Sequence, residues 1–208
     1  MRIVETDTMD ARGSDRLSAD EFLEWMAGPS APEGRWELVA GVPVRMMVNV
    51  RRAHSTAVAN MMRHLGNRLD GSSCRPHAEG FGIQTGNDQV RYPDVMVDCG
   101  AGNDEDMRAR EPRVVVEVLS NGTRTFDQTS KLVEYQGVPT IYHVLFVETG
   151  VVEVTHFTRE AGRWEREDHF RLDSSIRLSA LGVELTVGEI YDGIDASPMP
   201  RFRVVRDE

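Results

Sequence analysis

The run Arg113-Val114-Val115-Val116-Glu117-Val118-Leu119 constrains this chain more than any other stretch. Four valines and a leucine without the apolar–polar alternation of a half-exposed strand read as a central strand buried on both faces. Glu117 interrupts that reading. Buried carboxylates are rare unless they are paired or bound to a cation, so a glutamate in this run is hard to explain as core.

A second strand carries a second acid. Pro93-Asp94 heads the apolar run Val95-Met96-Val97, and the polar, acidic stretch from Gly100 to Glu111 separates it from the first run, so that the two strands can pair once it is crossed. After a loop over Ser120 to Phe126, Asp127 is placed to N-cap a helix through Gln136 with Leu132 and Tyr135 on one face. Gly137-Val138-Pro139 ends it. Lys131 directly precedes Leu132 and so borders the apolar face. Two carboxylates and a lysine on two neighbouring strands and a helix can hold a divalent metal and a water.

The rest of the chain supplies a frame. Ser18 with Glu21 three residues on has the form of a capping box, and Phe22, Leu23, Trp25 and Met26 follow; this predicts a helix over Ser18 to Ala27, stopped by Gly28-Pro29. Arg35 to Val39 and Val42 to Val48 read as a hairpin turning at Ala40-Gly41, with Pro43 marking an edge. Alternation puts Trp36 and Leu38 on one face and Glu37 on the other, where pattern alone makes it a solvated strand residue. Val58, Met61, Met62, Leu65 and Leu69 recur at helical spacing from His54, ending at Asp70-Gly71. His54 at that entrance reads as a cap or surface residue. Cys74 to Thr85, a Gly86-Asn87-Asp88 turn and Val90 to Tyr92 read as an antiparallel hairpin. Thr140 to Val147 and Val151 to Thr158 form another around Thr149-Gly150, a register that makes His143 and His156 direct neighbours; with no third ligand in view they read as a surface pair. Trp164 to Phe170 continues the meander, and Leu185 to Tyr191 is a last short strand or helical turn.

At 208 residues, with 40% hydrophobic and 28% charged residues, the chain suits one globular domain over residues 18–194. Residues 1–17 read as a flexible tail and residues 195–208 as an extended one. The first residues are too polar for a secretory signal, and no apolar run approaches the ~20 residues of a membrane span; the expectation is a cytoplasmic protein with no membrane contact. Neither Cys74 nor Cys99 has zinc-site spacing; the two would lie near one another if their strands are neighbours, but free buried thiols are the expectation. The net charge of −10 opposes a nucleic-acid reading, because phosphate binding depends on clustered positive charge. Arg51, Arg52, Arg91, Arg113 and Arg124 lie near the candidate site in sequence, which leaves a local basic patch open.

From about Leu17 to Ile194 the chain resembles a bacterial family of restriction-endonuclease-like proteins of mostly unknown function in the PD-(D/E)XK nuclease superfamily. Trp36-Glu37-Leu38 with Gly41, His54, Tyr92-Pro93-Asp94, Glu117-Val118-Leu119-Ser120, and Asp127 with Lys131-Leu132 and Tyr135 carry the resemblance. It implies an α+β (α/β) fold: a restriction-endonuclease-like core with a mixed central sheet flanked by helices, and additional β-hairpins toward both ends. Leu119 stands where the superfamily usually has its lysine, and Lys131 on the following helix matches the position to which the family's lysine has moved. Asn121-Gly122 replaces the family's common Pro-Ser, and Ser130 replaces an acid.

The implied activity is Mg²⁺-dependent endonucleolytic hydrolysis of phosphodiester bonds in DNA, with Mn²⁺ as an alternative cation. Asp94, Glu117 and the backbone carbonyl of Val118 are the expected metal ligands. Lys131 would orient the attacking water or stabilise the transition state; Glu37 is a further acid and His54 an auxiliary group toward phosphate or water. Without metal, two nearby carboxylates should raise one pKa, whereas a cation or Lys131 lowers both. Cutting both strands favours a homodimer. A catalytically inactive nuclease-fold protein that binds nucleic acid or a protein partner is the alternative, and a small β-rich ligand-binding domain with incidental acids is a more distant third.

Overall fold

The computed structural model describes residues 16–46, 50–119 and 126–198, with only the backbone of residues 126 and 127. The expected capping by the Asp127 side chain, Arg124, and most of both tails fall outside the described residues. The elements are α1 (Ala19–Ala27), β1 (Arg35–Val39), β2 (Val42–Met46), α2 (Arg52–Arg68), β3 (Arg75–Ala78), β4 (Ile83–Gly86), β5 (Gln89–Arg91), β6 (Val95–Asp98), β7 (Pro112–Leu119), α3 (Phe126–Gly137), β8 (His143–Glu148), β9 (Val154–Glu160), β10 (Arg163–His169), β11 (Ser175–Leu178), β12 (Val183–Thr186) and α4 (Val187–Ile190).

Six strands form a mixed sheet in the order β10-β9-β8-β7-β6-β3. The apolar run is β7, inside the sheet as its valines require, antiparallel to β6 and parallel to β8. Its alternation sorts the two faces. Val114, Val116 and Val118 pack with Ala57, Met61 and Leu65 of α2, while Val115 packs with Tyr135 of α3. Glu117, two residues after Val115, falls on the α3 side of the sheet. The mixed sheet covered by helices on both faces is the architecture expected from the sequence.

A second sheet, β2-β1-β5-β4, is covered by α1, whose Ala19 and Phe22 pack on Leu38 and Val90. The capping box of α1 is present: Ser18 N–H donates to Glu21 Oε2 at 2.8 Å and Glu21 N–H donates to Ser18 Oγ at 3.3 Å. Pro43 lies on β2 at the sheet's edge, where its missing N–H costs no ladder bond. Gly41 turns the β1–β2 hairpin at φ +78°, and a Cβ there would meet Arg16 Cβ at 2.5 Å. Glycine is therefore required twice over.

The stretch from Cys74 to Val97 is divided between the sheets. Its inner arms β4 and β5 pair in the small sheet, and its outer arms β3 and β6 pair in the large one. Tyr92-Pro93-Asp94 is the joint between them. Beyond the meander, β11 and β12 form a hairpin that packs Ile176, Leu178 and Leu185 against the α2 face. The final stretch is strand and then helix: Thr186 ends β12 and caps α4 through Glu189.

Three expectations are corrected. Cys74 and Cys99 form a disulfide, because the β3–β6 register pairs Arg75 with Asp98 and brings the flanking cysteines opposite one another. The β8–β9 hairpin pairs His143 with Thr158 and Leu145 with His156, so the histidines are diagonal and the connection is five residues long (149–153). They are not a surface pair: His143 is fully buried and His156 is 3% exposed. No described helix is long and apolar enough to cross a membrane.

Candidate active site

The joint between the sheets places Asp94 one residue before Val95, which pairs with Val116. Its Oδ2 accepts the backbone N–H of Val118 at 2.7 Å, and its Oδ1 lies 3.2 Å from His54 Nε2. Glu117, on β7, accepts the Tyr135 hydroxyl at 2.6 Å on Oε1. Lys131 Nζ reaches both of its oxygens, at 3.2 and 3.3 Å. Lys131 and Tyr135 are four residues apart on α3, one turn of one face, and that face lies over β7.

Lys131 Nζ also lies 3.5 Å from Glu37 Oε1. Glu37 Oε2 accepts from Arg91 Nη1 at 2.8 Å, and Arg91 is held on its far side by Glu134 through Nε at 2.7 Å and Nη2 at 2.6 Å. The five expected residues, Asp94, Glu117, Lys131, Glu37 and His54, are thus brought into one connected group. The solvated reading of Glu37 is corrected: it is 2% exposed, because α3 covers the β1 face opposite α1. His54 is likewise buried inside the first turn of α2 instead of capping it. Arg91 is spent on internal ion pairs and contributes nothing to a basic surface.

The electrostatics show a shortage of positive charge. Asp94, Glu117, Glu37, Glu134 and Glu79 face Lys131, Arg91 and Arg35, five carboxylates against three cations. Burial pushes Asp94 up to about 6 against the opposing Val118 N–H and Lys131. Burial also pushes Glu117 up to about 7, with Asp94 adding to the rise and Lys131 and Tyr135 opposing it. Desolvation lowers the His54 pKa and favours its neutral imidazole. Neither of its ring nitrogens makes a hydrogen bond among the described residues.

Those features fit a divalent cation. Its charge would offset the buried carboxylates, and an unbonded imidazole nitrogen beside Asp94 is a ready donor. One donor from each of His54, Glu79 and Asp94 lies within 4.8 Å of the others. Glu79 is a residue that sequence reasoning missed, along with Glu134 and the role of Arg91. Tyr135 and Glu134 carried a local signal, their spacing of four and three from Lys131 on α3; Glu79 and Arg91 reach the site through chain crossings that no periodicity records.

Residues 19–188 match the model of the Uma2 family, described as "Putative restriction endonuclease". The "Uncharacterized protein slr1290" of Synechocystis is 26% identical over 185 residues, covering 86% of this chain and 93% of the relative. Among solved structures, a "putative nuclease belonging to DUF820" from Anabaena variabilis superposes with a TM-score of 0.65 at 16% identity. The match covers 84% of this chain and 97% of that one; at that identity it establishes the fold. With the family match spanning most of the chain and the nuclease fold shared, this chain belongs to the Uma2 family of restriction-endonuclease-like proteins.

Proposed function

We propose that this protein is a Mg²⁺-dependent endonuclease that hydrolyses phosphodiester bonds in DNA, able to use Mn²⁺ in place of Mg²⁺. The observation that carries the reading is the set Asp94–Glu117–Lys131: two carboxylates of raised pKa, both opposed by one ammonium, which pairs directly with Glu117. Asp94, Glu117 and the Val118 carbonyl would hold the cation, with His54 as the adjoining nitrogen donor. When bound, it supplies charge neutralisation at the scissile phosphate and lowers the pKa of a coordinated water.

The protein's own groups do the positioning. Tyr135 fixes the rotation of the Glu117 carboxylate through Oε1. Arg91, clamped by Glu134, holds Glu37 against Lys131, which keeps Nζ in place for phosphate or for the attacking water. Burial lowers the His54 pKa, which favours the neutral imidazole that a cation requires of a nitrogen donor. A homodimer in the cytoplasm, one site for each strand, is the assembly this reading expects.

Cleavage of plasmid DNA in Mg²⁺ tests it. Nicking that requires the metal and disappears in Asp94→Ala and Lys131→Ala supports the assignment, whereas equal cleavage by both variants would expose a contaminant and sink it. A specific observation favours the alternative of an inactive, nuclease-fold binding protein: the net charge is −10 and Arg91 is consumed internally. Metal binding without cleavage of any nucleic acid would select that alternative.

A further inference from the structure

Outside that site, one side-chain cluster has no evident structural use. His156 on β9 stands directly across from Glu167 on β10. His169 follows Glu167 by two residues and so projects from the same face. One donor atom from each of the three lies within 4.8 Å of the other two. The His156 and His169 rings are 6.2 Å apart between centroids, and His169 Nε2 is 3.8 Å from Glu167 Oε2.

Two observations point to a ligand. His169 is 4% exposed, yet its Nε2 is buried without a hydrogen-bond partner among the described residues, a costly state for an imidazole nitrogen. His156 is oriented from behind. Its Nε2 lies 3.0 Å from His143 Nδ1 and 3.0 Å from Thr158 Oγ1, and His143 Nε2 in turn accepts the Ala180 backbone N–H at 3.2 Å. These contacts fix the orientation of the His156 ring. The Glu167 side chain is 74% exposed, leaving an open path from solvent.

We propose that His156, Glu167 and His169 form a second metal site, selective for Zn²⁺ or a similar transition-metal cation, that clamps β9 to β10. Two imidazoles and one carboxylate are a donor set for such metals, with a fourth position left for water. Mg²⁺, which wants oxygen ligands, is a poor match. The site is therefore chemically distinct from the carboxylate-rich one at Asp94 and does not depend on nuclease activity.

The test uses the tag-free, metal-stripped full chain titrated with Zn²⁺ in excess Mg²⁺, with bound metal quantified after dialysis, and with Co²⁺ as a spectroscopic probe. One Zn²⁺ per chain should bind and persist in Asp94→Asn. Glu167→Gln should weaken it by at least about tenfold, and His169→Asn should abolish it together with the Co²⁺ absorption bands of a four-coordinate site. Glu167 is exposed, so Glu167→Gln remains decisive if His169→Asn fails to fold. No Zn²⁺ uptake, uptake unchanged in Glu167→Gln, or loss of uptake in Asp94→Asn would each overturn the proposal.

Discussion

The Tyr135 hydroxyl donates to Glu117 Oε1 at 2.6 Å, joining a helix to the one acid of β7. Tyr135 is fully buried, and its own pKa is raised, first by burial and then by Glu117, so it stays a donor at any working pH. Its bond lowers the Glu117 pKa. In Tyr135→Phe that pKa should rise further, moving the acidic limb of any metal-dependent activity to higher pH. The stability cost should be about 1–2 kcal/mol, read from the denaturation midpoint at constant m-value.

Lys131→Met should be more damaging. It leaves Glu117 and Glu37 without the ammonium they share, and breaking a buried pair from one side costs about 3–5 kcal/mol. Lys131 also depresses the pKa of Asp94 and Glu117. Its loss lets both protonate more readily, so the defect should shrink as pH falls. Urea titrations at neutral and mildly acidic pH compare the two; a defect independent of pH would point to lost packing instead of lost charge.

The metal-free protein should lose stability with rising pH. Asp94 moves from 3.8 to about 6 and Glu117 from 4.5 to about 7 on folding. A raised folded-state pKa contributes stability that is complete below the unfolded value and is lost as pH rises through the folded one. The loss should fall between about pH 4 and about pH 7 and amount to a few kcal/mol at most. Mg²⁺ should restore stability more at the upper end of that window than at the lower. Asp94→Asn/Glu117→Gln should flatten both responses in thermal melts.

Arg91→Met distinguishes internal from surface arginine. It strands Glu37 and Glu134, both buried or nearly so, and should cost about 3–5 kcal/mol. DNA affinity measured on the folded variant should keep its salt dependence, since no phosphate contact is removed. A flatter salt slope would return Arg91 to the binding surface.

The Cys74–Cys99 bond closes a loop of sequence separation 25, so reduction should lower stability by about 3 kcal/mol. Alkylation of the unreduced, denatured protein followed by mass spectrometry checks it: neither thiol should be labelled.

Some of this molecule could be read directly from residue order. The capping box at Ser18 and Glu21, the hairpin at Ala40-Gly41, the buried strand around Glu117 and the α3 face of Leu132 and Tyr135 with Lys131 at its border are local, set by hydrogen bonds and periodicities within a few residues. Asp94 and Glu117 could be matched because they sit on strands that pair once a single loop is crossed. Glu37 could not be seen as buried, because the cover on its face is α3, nearly a hundred residues away. The same limit applied to Arg91, to the cysteines and to the histidines. Their partners are chosen by how the joint at Tyr92-Pro93-Asp94 folds one sheet against the other, and by a hairpin register that a five-residue connection sets differently from a two-residue one. Burial and pairing at those positions are properties of the packed layers, and only the tertiary structure decides them.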